Sequence, residues 1–272
     1  MSNLAQRTLT ALVGATLVIG AVWLGGWPFA ALMGAVAVAA QVEVYGLLRK
    51  AGADPFVPLG LGLGLLTSMR AVIPGSLNLL VLGGLAVLLG VLYRRKATPL
   101  LDASATLFGV AYPAAFVGSF VALRLADPPW LAGDDAFWLT TTALFGIWGT
   151  DTFAYFAGRA FGRHPLFPRV SPKKTWEGAV GGAVGAFVVV AGFKLAVLDP
   201  VLTWTDVAAI AFACGVASPF GDLVESHFKR SVGVKDSATW LPGHGGLLDR
   251  IDAAVVAMPL VVLYLDLAKG LT

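Results

Sequence analysis

The chain has 272 residues, of which 57% are hydrophobic and only 13% charged, and its mean hydropathy is +0.80. Soluble domains carry about 25% charged residues, so the composition excludes an ordinary water-soluble domain, and a net charge of +3 gives no reason to expect a nucleic-acid partner. The single cysteine, Cys214, excludes an internal disulfide and any multi-cysteine metal site.

Crossing a bilayer takes about 20 mostly apolar residues in an α-helix. About nine such runs follow one another, near 8–25, 27–47, 56–74, 76–93, 103–124, 137–158, 177–198, 205–227 and 250–269. The first has no small-residue cleavage site leading into a soluble domain, so it reads as a retained helix and not a signal peptide. The third is the weakest, being glycine-rich, with Arg70 inside it and Pro58 and Pro74 at its ends. The expected fold class is therefore an all-α polytopic membrane protein with about nine transmembrane helices.

Basic residues alternate along the connections. Arg7 precedes the first run. Arg49 and Lys50 fall in the second connection, Arg94, Arg95 and Lys96 in the fourth, Arg159 to Lys174 in the sixth, and Lys229, Arg230, Lys235 and Arg250 in the eighth. Arg70, Arg124, Lys194 and Lys269 are the only ones on the other side, and the fifth connection, "LADPPWLAGDDAF", is acidic. The positive-inside rule then places the N-terminus and the basic loops in the cytoplasm and the C-terminus outside. The expected location is the inner (cytoplasmic) membrane. Residues 1–136 are expected to supply membrane helices for packing, lipid access and dimer contacts. Residues 137–272 are expected to form the catalytic membrane domain with two cytoplasmic motif loops. Small residues on helix faces allow close approach of backbones and are compatible with a homodimer.

The scarce charge of the second half is clustered. Asp151 lies inside the sixth run, where an acidic side chain is either functional or paired with a cation from a neighbouring helix. Ser171-Pro172-Lys173-Lys174-Thr175 is a basic, hydroxyl-rich turn before the seventh run. In "SPFGDLVESHFKRS", Asp222, Glu225, Ser226 and Lys229 share one helical face. The Ser-Pro-Phe-Gly before them reads as a break that opens a cavity. Lys229 and Arg230 equally suit snorkelling to lipid headgroups.

The stretch "KDSATWLPGHGGLLDRID" then combines Lys235, Asp236, His244, Arg250, Asp249 and Asp252 with Gly245 and Gly246. Bare glycine backbone suits phosphate, and carboxylates at a helix start suit the helix dipole. Carboxylates such as Asp222 and Asp249 also suit Mg²⁺ completed by substrate phosphates, and Lys and Arg beside them suit phosphate. The residues alone thus point to Mg²⁺-assisted phosphate chemistry at the cytoplasmic face. A transporter with intramembrane acids is the rival reading, although its charges would sit near the midplane.

Read together, these residues resemble the phosphatidate cytidylyltransferase family. The similarity to its motif runs from Ser226 to Asp252 and includes Lys229, Arg230, Lys235, Asp236, Pro242, His244, Gly245, Gly246, Asp249, Arg250 and Asp252. It extends to "DTFAYFAGRAFG" and "SPKKTWEG", whereas residues before 150 resemble the family only in being membrane helices. The resemblance implies attack of a phosphatidate oxygen on the α-phosphorus of CTP, giving CDP-diacylglycerol and pyrophosphate, with Mg²⁺ as the expected cofactor and a second, monovalent cation beside it. It places the metal at Asp222 and Asp249, with Asp252, Asp151 and Glu225 as lesser candidates. It implies that Lys229, Arg230, Lys235 and Arg250 contact phosphates, with Asp236 and His244 in the same catalytic group. Ser171, Lys173, Lys174, Thr175, Ser226, Gly245 and Gly246 are the implied substrate-binding residues. An ether-linked lipid phosphate as acceptor is the alternative to the ester lipid.

Overall fold

The structure is a computed structural model that describes residues 3–73, 75–94, 98–240 and 245–271. Its helices are α1 (Asn3–Leu24), α2 (Gly26–Lys50), α3 (Val57–Ser68), α4 (Ser76–Gly90), α5 (Pro99–Arg124), α6 (Asp135–Phe161), α7 (Trp176–Val197), α8 (Trp204–Phe212), α9 (Ser218–Ser231), α10 (Leu248–Ile251) and α11 (Ala254–Lys269). The all-helical expectation thus holds apart from one small hairpin of β1 (Pro165–Phe167) and β2 (Ser171–Thr175). Among the described residues, five helical stretches are long and apolar enough to cross a membrane: α2, Ser76–Tyr93, α5, α7 and the continuous Trp204–Ser231. The third expected run holds only the 12 residues of α3, and α6 is diluted by Thr140, Thr141, Thr142 and Thr150 along its buried face.

Two compact units are present. One comprises Met1–Val121 with Phe228–Ile251, and the other Ala122–His227 with Asp252–Thr272.

In the first unit α3 packs on α2 through bare backbone. A Cβ on Gly60 would lie 1.9 Å from the Tyr45 hydroxyl, and one on Gly64 2.0 Å from Gln41 Oε1. Close approach lets buried polar groups satisfy one another, as a membrane interior requires. Gln41 Nε2 donates to Tyr45 Oη (2.9 Å) and to the Gly60 carbonyl (2.7 Å), and Tyr45 Oη donates to the Thr106 carbonyl of α5 (3.0 Å).

In the second unit α6 and α7 pack along a glycine stripe. A Cβ on Gly182 would meet Thr150 at 3.0 Å, and one on Gly185 would meet Phe153 at 2.4 Å. Thr175 caps α7 by accepting from Gly178 N (3.1 Å).

The expected break at Ser218-Pro219 is instead a π turn, Ala213–Ala217, that joins α8 to α9. A π turn pairs each carbonyl with the N–H five residues on. For Cys214 that residue is Pro219, which has no N–H. The orphaned Cys214 carbonyl accepts instead from Thr150 Oγ (2.9 Å) and Ser218 Oγ (2.5 Å). Thr150→Val keeps the shape and removes one of these donors. It is expected to lower stability by about 1 kcal/mol, read as a lower thermal midpoint of the detergent-purified protein.

Candidate active site

The motif is built around Asp249. This residue does not open the last long helix, as its position in the sequence suggested. It lies in the single turn α10, and α11 begins only at Ala254. The turn is seated by Leu248, which is buried in a cluster with Ala40, Val44 and Leu47 of α2.

The carboxylate of Asp249 is buried and fully engaged. Oδ1 accepts from Lys229 Nζ, itself buried. Oδ2 accepts from Gly246 N (2.8 Å) and Ser237 N (3.0 Å) and lies 3.0 Å from Ser237 Oγ. Burial works to raise its pKa, but Lys229 and the backbone N–H groups of Gly246 and Ser237 outweigh this and hold it below the ordinary carboxyl value. The stability it contributes is complete above the unfolded value of about 3.9 and is lost only as pH falls through the lower folded value. The clamp is therefore intact at neutral pH.

Glycine is required at two places in this loop. Gly245 has φ +76°, and a Cβ there would lie 2.7 Å from Asp249 Oδ2. A Cβ on Gly246 would lie 2.1 Å from Ser237 Oγ and 2.3 Å from Glu43 Oε2. Gly246 is thus bare because two oxygens pack against it, and its N–H is donated to Asp249. Lys235, Asp236 and Arg250 are exposed, where a soluble ligand can reach them. Arg230 is exposed and donates to the Val234 carbonyl (2.8 Å). Pro242 and His244 lie outside the described residues.

Sequence reading missed Glu43. It is 3% exposed, and it accepts from Ser237 Oγ (2.6 Å), Leu247 N (2.8 Å) and Leu248 N (2.9 Å). A lone acid inside the apolar run of α2 was the available signal.

The second unit holds the other predicted residues. A cleft of about 410 Å³ is lined by Asp151, Tyr155, Arg159, Lys173, Lys174 and Thr175, among others. With Lys174 paired to Asp222, Arg159 and Lys173 against Asp151 still leave a positive lining that favours an anionic ligand. Arg159 and Tyr155 fall in the family-like stretch "DTFAYFAGRAFG" but were not expected as site residues. They lie one turn apart on α6, and Arg159 Nη1 donates to Tyr155 Oη (3.2 Å). Ser171 starts β2 and does not line the cleft.

Lys174 is placed by the hairpin, so that its Nζ lies 2.6 Å from Asp222 Oδ2 and 3.4 Å from the Pro219 carbonyl. Asp222 Oδ1 accepts from Ser226 Oγ (3.1 Å), as the shared helical face required. Glu225 is fully buried on α9. The backbone of Asp252 packs against Gly221, where a Cβ would lie 2.3 Å from the Asp252 carbonyl. The Asp252 side chain accepts from Ala253 N (2.8 Å).

No three His, Cys, Asp or Glu side chains gather into a cation cage among the described residues. Asp222 and Asp249 each have one oxygen facing a lysine ammonium. Positive charge already suits these oxygens, and a hard cation held by one or two carboxylates plus phosphate and water needs no further protein ligand. Asp222, whose side chain is 33% exposed, fits Mg²⁺ on that chemistry, whereas Asp249 fits it only where Lys229 gives up Oδ1.

A family model described as the cytidylyltransferase family matches residues 5–268. A phosphatidate cytidylyltransferase of Brucella abortus is 38% identical, over 97% of this chain and 94% of its own length. One from Haemophilus influenzae is 35% identical over 94% and 96% of the two chains. One from Synechocystis is 32% identical over 96% of each.

Proposed function

The chain belongs to the cytidylyltransferase family, and from that premise we propose that it transfers the cytidylyl group of CTP to phosphatidate, forming CDP-diacylglycerol and releasing pyrophosphate. The observation that carries this reading is the motif from Ser226 to Asp252. Its only described buried cation, Lys229, meets its buried carboxylate, Asp249, while Lys235 and Arg250 stay exposed for a phosphate ligand.

A phosphate monoester dianion is already nucleophilic, so the protein's work is positioning and charge neutralisation. A phosphatidate oxygen forms a bond to the α-phosphorus of CTP as the bond to pyrophosphate breaks. Lys235 and Arg250 neutralise phosphate charge from the motif loop. Arg159, Lys173 and Lys174 do so from the cleft. Asp222 and Asp249 are the proposed Mg²⁺ ligands. Bound Mg²⁺ would neutralise charge on the phosphate oxygens. His244 orients a phosphate or a carboxylate and is not required as a base. The basic loops face the cytoplasm in this reading, the side from which CTP arrives, and phosphatidate enters from the bilayer.

The test is an assay of purified protein with CTP, phosphatidate and Mg²⁺. Equal amounts of pyrophosphate and CDP-diacylglycerol are expected, and chelation of Mg²⁺ should stop both. Absence of lipid product from a folded preparation would sink the proposal. Faster turnover of a dialkyl than a diacyl phosphate would move the substrate to ether lipids.

A further inference from the structure

We propose that Glu43 of α2 is a positioning residue for cytidylyl transfer, tying Ser237 to Leu247 and Leu248 beside Asp249; this rests on the function proposed above. Its partners stand 194 to 205 residues away in the chain. A carboxylate this buried is costly unless its oxygens are well used. Here Oε1 takes the N–H of Leu247, and Oε2 takes the N–H of Leu248 and the hydroxyl of Ser237. One side chain therefore joins Ser237 to Leu247 and Leu248.

All three partners are donors, and they meet both carboxylate oxygens. Glutamine has one oxygen and one NH₂, so in either orientation it would set a donor against a donor. The neighbouring contacts carry any shift onward. Ser237 Oγ lies 3.0 Å from Asp249 Oδ2, and Glu43 Oε2 fills the space that a Cβ on Gly246 would need. A change at Glu43 thus moves Ser237, Gly246 and Asp249 together.

The fold does not depend on this grip in the same way. Leu248 is anchored independently by Ala40, Val44 and Leu47, which hold α10 on α2 through apolar contact. Loss of the carboxylate should therefore loosen the loop more than the protein.

Two variants, Glu43→Gln and Ser237→Ala, test this by steady-state kinetics, thermal midpoint and amide hydrogen exchange on detergent-purified full-length protein. Glu43→Gln should lower kcat about 10- to 100-fold, as expected for a misplaced catalytic loop. Its thermal midpoint should stay near wild type, the KM for phosphatidate should be unchanged, and exchange should rise at Ser237, Leu247 and Leu248. Ser237→Ala keeps the backbone donors and should show a smaller fall in kcat of the same kind. It also decides the matter if Glu43→Gln does not fold. A merely structural role would lower the thermal midpoint and the active fraction without selective exchange in this loop. Wild-type kcat and wild-type exchange in the folded variants would overturn the proposal. If wild-type protein made no CDP-diacylglycerol, the functional reading would fall, while hydrogen exchange would still decide whether Glu43 holds the loop.

Discussion

Asp249→Asn is expected to lower CDP-diacylglycerol formation about 100-fold or more, the scale on which a preorganised charged group acts. The substitution preserves size and removes only charge. Every described neighbour of the carboxylate other than the Ser237 hydroxyl is an obligatory donor: Lys229 on Oδ1, and the N–H groups of Gly246 and Ser237 on Oδ2. An asparagine can satisfy one side and must turn its NH₂ toward the other. If it faces the backbone, the loop opens. If it faces Lys229, donor meets donor, and in either orientation a buried ammonium loses its counter-charge, which is among the costlier changes a protein interior undergoes. A Mg²⁺ titration separates the two roles that Asp249 can have. A ligand to the cation predicts that the activation curve of the variant moves to higher Mg²⁺. A clamp alone predicts a lower plateau at the same midpoint. Turnover near wild type would remove Asp249 from the machinery altogether.

Lys174→Gln is expected to reduce kcat/KM for CTP by about 100-fold, while Lys173→Gln should cost only several-fold. The difference comes from placement. Lys173 is exposed on the hairpin. Lys174 is partly shielded, 28% exposed, and directed at Asp222. Its ammonium thus lies in the cleft where an anion is drawn and also steadies a proposed metal ligand. Loss of Lys174 removes both effects, and the change should appear in a CTP titration at fixed phosphatidate. Equal effects of the two substitutions would show that the cleft supplies only diffuse positive charge.

Much of this architecture was legible in the chain. Apolar runs long enough to demand a bilayer can form only helices there, because every backbone group must pair within the segment. Hence α2, α5, α7 and Trp204–Ser231 appear where hydropathy placed them. The face shared by Asp222, Ser226 and Lys229 followed from helical period alone, and the Ser226–Asp222 contact matches it. Short polar elements were not legible. β1 and β2 have 3 and 5 residues, too few to show a period, and their pairing depends on a turn between them. The π turn was read as a break because proline marks a missing donor but does not reveal which hydroxyls replace it. Thr150, 64 residues from Cys214, is one of them.

What the sequence determined by itself was the membrane class and the family motif, with the residues it offers as candidates. These depend on composition, local period and fixed spacing, all of which are properties of neighbours in the chain. What only the tertiary structure decided was how those residues are held. Glu43 could be seen as an odd acid in an apolar helix, but not as the grip on a loop some 200 residues away. Gly246 could be seen as bare, but not that its space is taken by Ser237 and Glu43. Burial of a carboxylate among donors is a property of the packed chain, because it arises only when segments distant in sequence are brought together out of water.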